Sequence, residues 1–161
     1  MKAFDASSII YAWDNYPFEQ FPPLWDWLAD QIDAGEIVVP RVALTEISQI
    51  SPDCHGWLTG NQLRVIEVSN DIAAEATRIK ALVGVVDDNY HAKGADENDI
   101  LIIATAKDLE IDLVSNEGRQ NKVPDEPRKR KIPSVCDIQS VDVNCVDFVE
   151  FLKASGQVFR S

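Results

Sequence analysis

The chain has no apolar run approaching the roughly 20 residues that a helix needs to cross a bilayer, so no membrane span is expected. It is equally poor in soft metal ligands. Its two histidines, His55 and His91, have no His or Cys company, and the three cysteines fall in no metal-ligand spacing, which argues against zinc. Those cysteines, Cys54, Cys136 and Cys145, are odd in number and far apart, which fits reduced thiols better than a disulfide frame. A secretory leader is not expected, because Asp5 interrupts the only apolar run at the start and no convincing small-residue cleavage site follows. Positive charge is also short. Fifteen Lys and Arg stand against 27 Asp and Glu, a net charge of -12, which excludes a surface that collects nucleic acid indiscriminately. These absences lead us to expect a cytoplasmic protein, and 161 residues with 45% hydrophobic content suit one domain over 1–161 with a real core.

What is present alternates between short apolar strands and helices. KAFD reads as a first strand, SSIIYAWDNY as a helix, and FPPLWDWLADQIDAGE as a second helix with Pro at its start and Gly35 after its end. IVVP is apolar throughout, as a strand buried on both faces must be, and runs straight into the helix RVALTEISQI. SPDCHGWLTGNQ predicts a turn and short helix, LRVIEV an edge strand or loop, and SNDIAAEATRIKALV a capped helix starting near Asn70. After the polar loop DDNYHAKGADEN come the very apolar helix NDILIIATAKDL and the buried strand IDLVS. A basic loop follows, then a short strand at KIPSV and a closing amphipathic helix over NCVDFVEFLKASG. Apolar strands separated by helices predict a three-layer α/β/α domain around a central, mostly parallel sheet. Ligands in such sheets bind beyond the carboxyl ends of the strands.

Acids recur at those ends. Asp5 closes the first strand, Glu117 follows IDLVS, and Asp99 opens the most buried helix on one face with Ile103 and Ala106. Glu46 interrupts the apolar stripe of Ala43, Ile47 and Ile50. Taken singly, each has an ordinary explanation as a cap, a dipole partner or a solvent-reaching carboxylate. As a set they do not. Two carboxylates about 4 Å apart repel by roughly 4 kcal/mol at an effective dielectric near 20. A divalent cation reverses that cost, and an all-oxygen site suits Mg²⁺ or Mn²⁺.

At FDASS, RVALTEI, NDILIIATA and LVSNE the chain resembles the PIN-domain ribonucleases, especially toxins of the VapC kind. The resemblance implies a PIN-like fold with Asp5, Glu46, Asp99 and Glu117 as metal ligands and catalytic acids, although the fourth acid of that family is more often Asp. It makes Ser7 and Ser115 accessory residues, Ser7 orienting Asp5; Asp96, one turn before Asp99, either binds a metal through water or lines the mouth of the site, the second being our preferred reading. It also implies metal-assisted endonucleolytic hydrolysis of RNA, leaving a 5′-phosphate and a 3′-hydroxyl, with an antitoxin and a second copy of the chain as possible protein partners. The Trp-rich helix and the KIPSVC segment are similar to a less characterised PIN branch.

Arg119, Arg128, Lys129, Arg130 and Lys131 form a basic lip that either contacts RNA or is simply a solvated loop. Trp25 and Trp27, two positions apart on one helix, face apart, so one of them meets a partner or is half covered by a neighbouring segment. Two rival functions stand beside the ribonuclease. A haloacid-dehalogenase-like phosphatase shares FDASS and GADEND in outline, but the second acid of its opening motif would fall at Ser7, and LVSNE comes too late in the chain. The other rival is a catalytically inactive PIN-like module that binds a protein.

Overall fold

The computed structural model describes residues 1–160. Its strands are β1 (Lys2–Phe4), β2 (Ile37–Pro40), β3 (Arg64–Ile66), β4 (Asp112–Val114) and β5 (Cys145–Val146). They form one sheet in the order β3-β2-β1-β4-β5, and every pairing is parallel. The helices are α1 (Ala6–Asn15), α2 (Pro22–Asp33), α3 (Arg41–Ile50), α4 (Pro52–Gly60), α5 (Asn70–Leu82), α6 (Glu97–Leu109), α7 (Ile132–Cys136) and α8 (Phe148–Ser155), with a 3₁₀ turn at Pro127–Lys129. This is an α/β fold, a parallel sheet flanked by helices.

Parallel strands need crossovers, and the sequence supplies helices that bury one face against the sheet. β2 is buried at all four positions. In α6, Ile100, Ile102, Ile103, Ala104 and Ala106 are all buried, so this helix is enclosed on most sides, as its composition predicts. LRVIEV does yield the edge strand β3. Ser8, fully buried at the start of α1, donates to the Asp5 carbonyl at 2.7 Å and stands 2.9 Å from the Val114 carbonyl, so it ties β1 to β4. Ser8→Ala should cost about 1 kcal/mol. Thermal unfolding should register that as roughly 2–4 °C, and an unchanged midpoint would deny Ser8 this role.

Three expectations fail here. KIPSV is helical, not extended: Pro133 sits in the first turn of α7, where a missing N–H costs nothing, and all five residues of the helix are buried. NCVDFVEFLKASG is only partly helix, because Cys145 and Val146 pair with β4 before Asp147 caps α8. Ile50 does not continue the buried stripe of α3; Ala43, Leu44 and Ile47 are buried while Ile50 is 63% exposed. The tryptophan pair separates as its spacing requires. Trp25 is buried, whereas Trp27 is half-buried against Phe151 and the C-terminal Phe159, each with ring centroids 5.6 Å away.

Candidate functional site

β1 is the central strand, with β2 on one side and β4 on the other, so a crevice opens beyond its carboxyl end. Asp5 stands at that point. It precedes α1 in extended conformation, yet its side chain makes no cap bond to the helix. Instead its Oδ2 accepts hydrogen bonds from Ser7 Oγ at 2.6 Å and Ser115 Oγ at 2.9 Å. Ser7 Oγ also accepts from the Asn116 backbone N–H at 2.9 Å, and Asn116 Oδ1 accepts from Phe148 N–H at the start of α8. One hydroxyl therefore couples the ends of β1 and β4, and the neighbouring amide carries the link to the last helix.

Glu46 reaches the crevice from α3, half-buried, its Oε1 accepting from Asn98 Nδ2 at 3.1 Å. Glu117 Oε2 accepts from the Ile132 N–H that opens α7, at 3.3 Å. Asp99 belongs to a capping box: its Oδ2 accepts from Asp96 N–H at 3.0 Å, while Asp96 Oδ1 accepts from Asp99 N–H at 2.9 Å. Asp96 is thus the exposed cap of α6.

The four acids share one electrostatic environment. Burial raises the Asp5 carboxyl above its usual range, against the opposing pull of the two serine hydroxyls. Asp99 is pushed up to about 8, first by burial and then by the charge of Glu117, with Asp96 and Asp5 adding to the effect. Burial also raises Glu46; the Asn98 amide opposes this, and the charges of Asp5, Asp96 and Glu117 reinforce it. Glu117 is raised by burial and by Asp5, while the Ile132 N–H and Lys131 pull the other way. Among the described residues no cation pairs with any of the four. Nor, among those residues, do three His, Cys, Asp or Glu side chains stand close enough to grip one ion. Each of the four carboxylates instead accepts from its own hydrogen-bond donors. Their donor chemistry, oxygen only and uncompensated, still fits Mg²⁺ or Mn²⁺.

The basic residues divide by type. Arg119 donates to the Cys145 carbonyl at 2.6 Å and lies 3.5 Å from Glu150. Arg128 is paired with Glu126 and donates to the Asn89 carbonyl at 2.9 Å, and Arg130 donates to the Ser134 carbonyl at 3.0 Å. All three hold the loop in shape. Lys129 has only a 3.8 Å contact with Glu126, and Lys131 has no ion pair among the described residues. Sequence reasoning missed Asn98, Asn116 and the Ile132 amide. The two asparagines lie beside site acids within the quoted motifs, which was a usable signal; the Ile132 amide left none.

A family model described as a domain of unknown function, DUF4411, matches residues 3–159. The chain belongs to the DUF4411 family. No curated protein matches this DUF4411 chain. Among solved structures, that of FitAB bound to an IR36 DNA fragment aligns with a TM-score of 0.50 and 15% identity, covering 91% of this chain and 94% of that one. VapBC2 from Rickettsia felis, bound to a DNA fragment from its promoter, gives 0.48 and 16%, covering 91% and 97%. FitAcB from Neisseria gonorrhoeae gives 0.49 and 14%, covering 91% and 96%. At such identities the likeness concerns the fold alone, and this DUF4411 chain shares the fold of the matched chain in the FitAB structure. No helix in the described residues is long and apolar enough to cross a membrane.

Proposed function

We propose that the chain is a single-domain, cytoplasmic, metal-dependent endoribonuclease, acting as the toxin of a toxin-antitoxin pair. One observation supports this reading: carboxyls from the end of β1, α3, α6 and the end of β4 lie near enough that the charges of Asp5 and Glu117 act on both Glu46 and Asp99, and none of the four forms an ion pair among the described residues. Asp5, Glu46, Asp99 and Glu117 would hold Mg²⁺ or Mn²⁺, which when bound supplies Lewis-acid polarisation of a phosphoryl oxygen and a water acidic enough to attack. The chain's own part is positioning. Ser7 and Ser115 fix Asp5 by its Oδ2, Asn98 presents Glu46, and the Ile132 N–H presents Glu117. Lys129 and Lys131 lie where an RNA backbone would enter, with Arg119, Arg128 and Arg130 shaping the loop that carries them. A small antitoxin and a second copy of the chain are the protein partners that the PIN-toxin resemblance suggests. Ser7, which donates to Asp5 at a position where a phosphatase would need an acid, speaks against the phosphatase reading.

Titration with Mn²⁺ tests the assignment. At about ten times the dissociation constant the protein should gain roughly 1.4 kcal/mol, a rise in Tm of about 3–6 °C. Cleavage of single-stranded RNA should depend on the ion and stop with a chelator. A Tm rise without cleavage would support the inactive binding module, and no response at all would remove the metal from the account.

A further inference from the structure

A cavity of about 490 Å³ has Glu117 in its wall together with Lys93, Gly94, Gln120, Lys129 and Lys131. Two segments distant in sequence build it. The Ala95 N–H donates to the Arg130 carbonyl at 2.8 Å, and Gly94 lies so close to Arg128 that a Cβ there would stand 1.8 Å from the Arg128 carbonyl oxygen. Gln120 braces the basic loop from within, donating to the Lys129 carbonyl at 3.1 Å and accepting from the Lys131 N–H at 3.0 Å. In a chain of net charge -12, three lysines line this one hollow, opposed there by the single carboxylate of Glu117. Lys93 and Lys131 have no ion pair among the described residues, and Lys129 has only its long contact to Glu126.

We propose that this cavity seats a backbone phosphate of the RNA strand, one removed from the phosphate presented to the carboxylates. The inference rests on the ribonuclease reading and sharpens it: the lysines bind, Lys93 among them, and the arginines do not. Ammonium groups on flexible stems suit a phosphate treated as a point charge, whereas the planar guanidinium forks of this loop are already committed to carbonyls and Glu126. An RNA strand carries one anion per nucleotide, so a strand crossing the carboxylate crevice places a further phosphate within its neighbour's reach. An acidic peptide offers no such regular spacing.

The test is the salt dependence of binding, read by fluorescence anisotropy of a labelled single-stranded RNA in Ca²⁺, with strand integrity checked on a gel. Lys93→Ser with Lys131→Ser should reduce the slope of log K against log salt by about 0.7, the contribution of one neutralised phosphate on a single strand. Lys122→Ser, in the same loop but outside the cavity, should leave the slope unchanged. An unchanged slope in the double variant, or an equal loss in Lys122→Ser, would overturn the subsite while leaving the ribonuclease reading intact. Failure of the wild-type protein to bind RNA would overturn both.

Discussion

Asp99→Asn should make the metal-free protein more stable in mild alkali while removing the proposed ribonuclease activity. In the folded chain the Asp99 carboxyl keeps its proton up to about 8, against 3.8 as the ordinary value. The folded state therefore binds more protons than the unfolded one between those limits, and stability falls as pH rises through that window. The favourable contribution is complete below the lower value and lost above the upper one. At about pH 3 the variant and the parent should melt alike; at about pH 9 the variant should be ahead by roughly 2 kcal/mol, a figure discounted for the half-exposed position, or about 4–8 °C. Asn keeps an acceptor for the Asp96 N–H, so the cap of α6 survives. Cleavage should fall roughly a thousandfold, because a lost ligand forfeits several kcal/mol of charge stabilisation. Superimposable melting curves of the two proteins across this pH range, with chelator present, would show that Asp99 bears no such strain.

Gly94→Ala should be the most disruptive single methyl in the protein. Gly94 does not need unusual dihedral angles; it needs room. An added Cβ would meet the Arg128 carbonyl oxygen at 1.8 Å, its carbonyl carbon at 2.8 Å and Lys129 Cα at 3.0 Å, all of them backbone atoms with no rotamer to yield. Overpacking of this kind costs about 3 kcal/mol at the upper end of its range, so Tm should drop by roughly 6–12 °C. The damage should be local first. The bonds from Ala95 N–H to Arg130 and from Arg128 to Asn89 clasp the two loops, and amide exchange at Ala95 should accelerate well before the core opens. If the exchange rate and Tm both match the parent, the close approach of these loops is not a feature of the protein in solution.

The parts of this molecule that could be read from its sequence are those that local physics decides. The β2–α3 unit announces itself by a wholly apolar strand running into an amphipathic helix, and α6 by an acid-capped run of isoleucine and alanine. Their acids, Glu46 and Asp99, could be placed because helical spacing fixes which way they point. Pairing between distant segments was not legible. Cys145 and Val146 are a strand only because β4 lies alongside, and two residues are too few to show a period of two. The β-branched look of IPSVC hid a buried helical turn for which Pro133 was the better guide. Similarly, the arginines of the basic loop looked like candidates for RNA because charge is visible in a sequence and a backbone carbonyl waiting to accept it is not.

The order of strands in the sheet has a temporal consequence. Asp5 and Ser115 are 110 residues apart, so both hydroxyl partners of the Asp5 carboxylate cannot be present until Ser115 has followed, and Glu117 lacks its amide donor until Ile132 has done so. Closing loops of that length is slow compared with forming the helices between them. A growing chain therefore carries Asp5 without its full set of hydroxyl partners until β4 has been made and has paired with β1.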